Sequence, residues 1–514
     1  MNLFRAATPR HFALVLAAGA ASAGPALAEV LKDAGTSITI YSSAQPGGVD
    51  VGLLGQRPGW GAPQVPGYAV VRDIRKMSLT QGRGEVRFTD VAAQIDPTTV
   101  SFTSLSDPTA SVLEQNYQFD LVSPEKLMNR FIDSPIAVNV RSGDTVERIT
   151  GTLLSSSAGT LVLKGEDGRI RMLSGATDVA LPSLPDGLIT RPTLVWNVAS
   201  DTGGEQDVRV SYQTGGITWW ADYNLTYADG KDANHGTIDV GAWVSILNQS
   251  GGTYKDAKLK LVAGDVHRAP KPVDRNNYYG VAPSRSAGRD EEGFQEKSFF
   301  EYHLYTLGRP ATIPDNSTKQ VELFPTARAV PCEKVLVYDG QGGDWWGYGG
   351  VQSDAGFGAQ SKKDVDVFLR FENTKPAGMG MPLPAGRIRV SKLDTADGSL
   401  EFIGEDVIRH TPQGEQVLIK LGQAFDVVGE RTQTNFKIDS TRKIMEESFQ
   451  IKVRNRKAEP VTVIVQEHLN RWSAWEVIRQ DVESRKLDHR TVHFTLDLRP
   501  DEERAITYTV RYTW

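Results

Sequence analysis

The run at 342–350, GGDWWGYGG, carries three large aromatics, Trp345, Trp346 and Tyr348, in a stretch too glycine-rich for a strand interior. Flat aromatic faces can stack on sugar rings or anchor a protein partner. The competing structural use is to fold back over an open end of the molecule. A second candidate is the turn holding Asp229, Asp232 and Asn234, whose hard oxygens suit calcium. Its spacing departs from the EF-hand order, and Asp/Asn/Gly turns are ordinary hairpin chemistry. Glu301 with His303 on one strand face, and Glu467 beside His468, could exchange protons if they lined a pocket. A cross-strand polar pair is the alternative use of such residues. Trp472 and Trp475 could line a carbohydrate groove, but being three apart they lie on opposite strand faces. The NNYYG run at 276–280 sits in a long loop and could touch a ligand.

Other chemistry finds no support in the sequence. There is no Gly-x-Ser-x-Gly elbow, His-Glu-x-x-His helix, phosphate loop or complete dinucleotide fingerprint. Cys332 is the only cysteine, so an intramolecular disulfide and a thiolate metal cluster are ruled out; its place in an apolar run is that of a small buried side chain. The eight histidines are dispersed without a helical ligand spacing. No cofactor is implied. Net charge is −6, with lysines and arginines scattered among acids, so the basic stripe of a nucleic-acid binder is missing.

The elements that must position these residues are strands. From Ile217 the sequence alternates Trp219, Ala221, Tyr223, Leu225 and Tyr227 with Trp220, Asp222, Asn224 and Thr226. Period-two alternation places one set on each face of a strand. Similar runs around Ile238–Ile246 and Ala257–Ala263 extend this to a three-stranded meander. Further strands read at 68–77, 84–91, 298–307, 320–324, 335–338, 364–372, 386–393, 416–421, 461–468 and 505–514. One helix opens at Ser123-Pro124-Glu125, where serine caps and proline fills the first position. The fold class is therefore all-β: packed antiparallel β-sandwiches in several units, with very few helices.

Residues 1–28 read as a signal peptide, with Arg5 and Arg10 before an apolar run and Ala26-Leu27-Ala28 as the cleavage site. The mature chain divides into an N-terminal β unit at 29–135, a small SH3-like barrel or hairpin insert at 136–181 and a C-terminal part at 194–514. Segments 268–293 and 339–360 read as mobile loops. No later stretch is long and apolar enough for a transmembrane helix, so export to the periplasm or beyond is expected.

Several spaced motifs agree in order with a known family. They are Trp219-Trp220-Ala221-Asp222-Tyr223, Ala242-Trp243-Val244 through Asn248-Gln249-Ser250-Gly251, Arg370-Phe371-Glu372-Asn373, Met381-Pro382-Leu383-Pro384-Ala385-Gly386, Phe402-Ile403-Gly404-Glu405-Asp406 and Asn455. Over about 194–514 the chain resembles a bacterial domain-of-unknown-function family related to the mucoidy inhibitor A proteins. The resemblance implies an all-β domain at the cell envelope. It implies no known reaction and no catalytic residue. The chain departs from the full mucoidy-inhibitor pattern in lacking a coiled-coil segment and in beginning with a signal peptide. The function expected is an exported non-catalytic binding or structural module of the cell envelope, with an envelope polysaccharide or protein as its partner, and the alternative is a hydrolase of envelope polysaccharide or peptidoglycan.

Overall fold

The computed structural model describes residues 35–42, 44–50, 65–118, 122–142, 145–157, 159–183, 185, 188–264, 266, 294–299, 302–341, 350–394 and 396–514. The segment read as a signal peptide, the segment 268–293 read as a loop and the aromatic residues Trp345, Trp346 and Tyr348 lie outside them, as do Glu301 and the NNYYG run. Among the described residues strand makes up 66% and helix 2%, which places the molecule in the all-β class. No described helix is long and apolar enough to cross a membrane.

The Ile217–Asp229 strand pairs antiparallel with His235–Asn248 along its whole length, as alternation requires. The expected third strand of the meander does not follow. Tyr254–Ala263 leaves this sheet and joins another, where it pairs parallel with Gly35–Tyr41. The cause lies in the connection. Asn248 is fully buried, and its Nδ2 donates to the carbonyls of Gly252, Ile313 and Pro314 at 2.8, 3.4 and 3.0 Å, which ties the strand end to a crossover instead of a hairpin. The place beside His235–Asn248 is taken by Ser317–Asp339.

Two sheets and a smaller third one therefore share a first core. The eight-stranded sheet runs from Phe294–Phe299 through Tyr302–Leu307, Tyr254–Ala263, Gly35–Tyr41, Tyr68–Leu79 and Gly204–Thr214 to Ile95–Ser104, with Ala311–Ile313 as the eighth strand on Tyr254–Ala263. The N-terminal residues thus do not close on themselves, because strands from 204–214 and 254–263 complete their sheet. The 298–307 run is not one strand either: Phe294–Phe299 and Tyr302–Leu307 form a hairpin, with Phe299 opposite Tyr302. Ile38, Ile40, Leu259 and Leu261 from this sheet meet Trp196 of the three-stranded sheet and Trp219, Tyr223 and Ile246 of the thirteen-stranded sheet.

The insert forms an open five-stranded antiparallel sheet from Pro135 to Ala180, so the hairpin arrangement holds and a closed barrel does not form. Its core of Phe131, Ile136, Val138, Leu153 and Leu163 includes the residue that ends the helix Pro124–Arg130. That helix starts as read, with Ser123 Oγ accepting from Lys126 N at 3.2 Å. It packs on the insert instead of closing the N-terminal unit.

Two long strands join the first core to a second. Ser317–Asp339 and Gln416–Asp439, 23 and 24 residues long, run through positions that read as separate short strands. Strands usually span about 3–10 residues. Here each half serves a different core. The beginning of Ser317–Asp339 pairs with His235–Asn248, and its end pairs parallel with Val461–His468. The second core sits between Ile444–Asn455 with Glu503–Thr513 and Val461–His468 with Thr491–Leu498, filled by Phe449, Val463, Phe494 and Ile506.

Candidate functional site

Alternation dictates which side chains enter the second core. In Ile444–Asn455 the inward set is Met445, Glu447, Phe449, Ile451 and Val453; in Val461–His468 it is Val461, Val463, Val465 and Glu467. Two glutamates therefore occupy apolar positions. A buried carboxylate is tolerated only when paired and hydrogen-bonded. Glu467, wholly inaccessible, accepts from Arg431 Nε at 2.9 and 3.0 Å and from the Tyr508 hydroxyl. Glu447 accepts from Arg471 Nε at 2.7 Å and from Tyr512 Oη at 3.0 Å. Burial, and then the neighbouring carboxylate, pushes both tyrosine hydroxyls far above their ordinary range, so they stay protonated donors. Burial opposes the Arg431 charge, but Glu467 beside it outweighs that and raises the guanidinium's pKa above its ordinary value.

Both arginines then reach the segment that follows the aromatic run. Arg431 Nη1 donates to Gly358 O at 2.6 Å. Arg471 directs its remaining donors to Gln352 O, Asp354 O, Ala355 O and Phe357 O, at 3.1, 2.6, 3.3 and 2.8 Å. Guanidinium has five N–H donors in a rigid fork, and Arg471 uses Nε and both terminal nitrogens. The stem is closed by a bridge between Gln341 and Ser361 and by Lys362 N donating to Gly340 O at 3.0 Å. Of the loop read at 339–360, the described part is thus pinned to a core at several points.

Asp339, at the end of the strand before the aromatic run, accepts from His468 Nε2 at 3.1 Å. Gln466 lies 3.1 Å from the same ring and 2.9 Å from His493 Nε2. The hydrogen bond that His468 donates to Asp339 raises the His468 pKa, while burial and nearby Arg485 lower that of His493. These half-buried groups make a hydrogen-bonding rim beside the loop stem. Glu467 and His468 point to opposite faces and do not act together. Trp472 and Trp475 both pack against the second core, and Trp475 Nε1 donates to His489 O at 2.7 Å. His303 stands on a hairpin strand.

The oxygen-rich turn does not converge. Asp229 pairs with Lys392 at 2.7 Å, Asp232 accepts from the amides of Asn234 and His235 and faces the His235 ring, and Asn234 Nδ2 lies 3.4 Å from Thr462. Among the described residues, no group of three or more His, Cys, Asp or Glu is placed to hold a metal ion. Cys332 is buried, and burial pushes its thiol up to about 12.

The spaced motifs turn out to be structural. Trp219 is core, and Trp220 is covered on the other face by Gly48, whose φ of +82° and approach leave no room for a Cβ, which would lie 2.4 Å from the ring. Tyr223 Oη donates to Pro384 O at 2.8 Å, and Tyr305 Oη to Pro382 O at 2.9 Å, so the MPLP run is held by tyrosines. Asn248, Asn373 and Asn455 are each fully buried and staple the turn after a strand; Asn373 Nδ2 donates to Met381 O and Pro412 O. Arg431 and Arg471 were missed as functional residues. Their signal was legible all the same: inward glutamates at 447 and 467 demand buried cations.

A family model described as a domain of unknown function (DUF4139) matches residues 208–514, more than half of the chain. No curated protein matches it.

Proposed function

The chain belongs to the DUF4139 family, and we propose that it serves as an exported, non-catalytic binding module of the bacterial cell envelope with polysaccharide as its ligand. The observation that carries this reading is the pinning of 352–358 by Arg431 and Arg471 directly after Trp345, Trp346 and Tyr348. Fixing the chain just after the aromatic residues lowers the ordering entropy lost on binding. The neighbouring rim of Asp339, Gln466, His468 and His493 offers carboxylate, amide and imidazole groups, which suit a hydroxyl-rich ligand. This favours polysaccharide over an envelope protein. The Ala26-Leu27-Ala28 pattern and the resemblance to a bacterial family related to the mucoidy inhibitor A proteins support the envelope part of the reading. The hydrolase alternative gains nothing from Glu467, whose carboxylate is taken by Arg431 and Tyr508.

The test is co-sedimentation of the mature protein with purified envelope polysaccharide, peptidoglycan and envelope proteins. Polysaccharide should retain the wild type, and replacing Trp345, Trp346 and Tyr348 together by Ala should weaken retention at least about tenfold, as loss of aromatic anchors does. Unchanged retention by a folded triple variant, retention on protein alone, or release of soluble sugar would each sink the proposal.

A further inference from the structure

The thirteen-stranded sheet curls until its edge strand Leu400–Ile408 lies beside Gln416–Asp439, though the two do not pair in a ladder. Asp406 reaches across the seam and accepts from Lys420 N at 2.8 Å. At the Tyr227 end of this curl is a cavity of about 220 Å³. Its walls are Val367, Leu369, Ile403 and Leu421, with Tyr227 beside them and Lys334 lining the polar side. Lys334 belongs to the inward series Val330, Cys332, Lys334, while Glu333 points outward to Arg370. Its side chain is 21% exposed.

The charges around the mouth do not balance. Lys392 is satisfied by Asp229 at 2.7 Å. Glu459 is shared between Lys334 at 3.9 Å and Lys457 at 3.8 Å. Charge-assisted hydrogen bonds close to about 2.7–2.9 Å, so Glu459 makes a close bond with neither. Three ammonium groups thus face two carboxylates beside an apolar wall. Burial, followed by repulsion from Lys457, lowers the Lys334 pKa, against the opposing pull of Glu459 and Asp229.

We propose that this cavity binds a small amphipathic monoanion, a carboxylate on a short hydrocarbon chain, with Lys334 as the counter-ion and the Leu369 wall receiving the chain. A single excess positive charge suits a monoanion. The volume lies below the range of about 300–1,000 Å³ usual for pockets that take drug-sized ligands, so the chain is short. None of the described residues of 339–360 lines it, and the proposal is independent of the polysaccharide reading.

The test is titration of the full mature chain, methyl-labelled at Ile, Leu and Val, with hexanoate and with hexan-1-ol as the neutral probe. Hexanoate should shift the Val367, Leu369, Ile403 and Leu421 methyls, and bind at least about tenfold more tightly than the alcohol, the size of one charge-assisted contact of about 1.5–3 kcal/mol. Lys334→Met should abolish that preference and leave hexan-1-ol binding unchanged. Because the wild-type titration needs no variant, a poorly folding substitution cannot shelter the idea. Equal affinity for the two probes, shifts confined to other parts of the molecule, or no shift at millimolar hexanoate would overturn it.

Discussion

In the first core two buried tyrosines end on backbone carbonyls, Tyr223 on Pro384 and Tyr305 on Pro382, and Tyr254 meets the Ser250 hydroxyl. In the second, Tyr338 also ends on a carbonyl, that of Lys362, but Tyr508 ends on Glu467 and Tyr512 on Glu447. The first arrangement closes a sheet around side chains that never need a charge. The second holds four ionised groups in a low-dielectric interior, where the desolvation cost can exceed the attraction. A hydrophobic filling would serve stability as well. What it would not do is grip five carbonyls of the 352–358 segment, as Arg431 and Arg471 do. The difference teaches that the second core is built around holding a loop, and the first around joining the N-terminal strands to the rest.

The comparison breaks most visibly at Arg431. Arg431→Met leaves Glu467 buried with its tyrosine donor alone, and should cost about 3–5 kcal/mol in urea unfolding. The double change Arg431→Met with Glu467→Leu should recover much of that loss while freeing Gly358, read as faster amide exchange at 352–358. If the double variant is as unstable as the single, the charges hold the core itself and not the loop. Leu259→Ala in the first core should cost about 2–5 kcal/mol through the cavity it leaves. Exchange at 352–358 should stay unchanged; a rise there would show that the two cores are not separable.

The smallest effect is the pH response of the rim. His468 has a raised pKa because Asp339 accepts its hydrogen bond. The sign follows: this contribution is fully present below the ordinary histidine pKa and fades as pH rises through the raised folded value. Asp339→Asn should lower the His468 titration midpoint followed by NMR and flatten that part of the stability profile. A midpoint unmoved by the substitution would remove Asp339 from the rim.

Much of the architecture was legible, because period-two alternation is a local property. It placed Ile217–Asp229, Asp364–Glu372 and Gly386–Leu393 correctly. It also held the inward positions of Glu447 and Glu467, although nothing local says which arginines answer them. Arg431 lies 36 residues from Glu467, and Arg471 lies 24 from Glu447. The oxygen-rich turn failed as a constellation for the same reason. Asp229 turned to Lys392, on a strand that pairs parallel with its own and is remote in sequence.

By itself, the sequence determined the all-β class, the faces of the strands and the cap of the helix Pro124–Arg130, since side-chain alternation and capping need only near neighbours. Tertiary structure decided that Tyr254–Ala263 leaves the meander for a parallel partner at Gly35–Tyr41. It also decided that Ser317–Asp339 and Gln416–Asp439 run through two cores, and that the carbonyls after the aromatic run meet buried guanidinium groups. Each of those depends on which distant strand wins a hydrogen-bonding edge or a buried charge, and that competition is settled only when the whole chain packs.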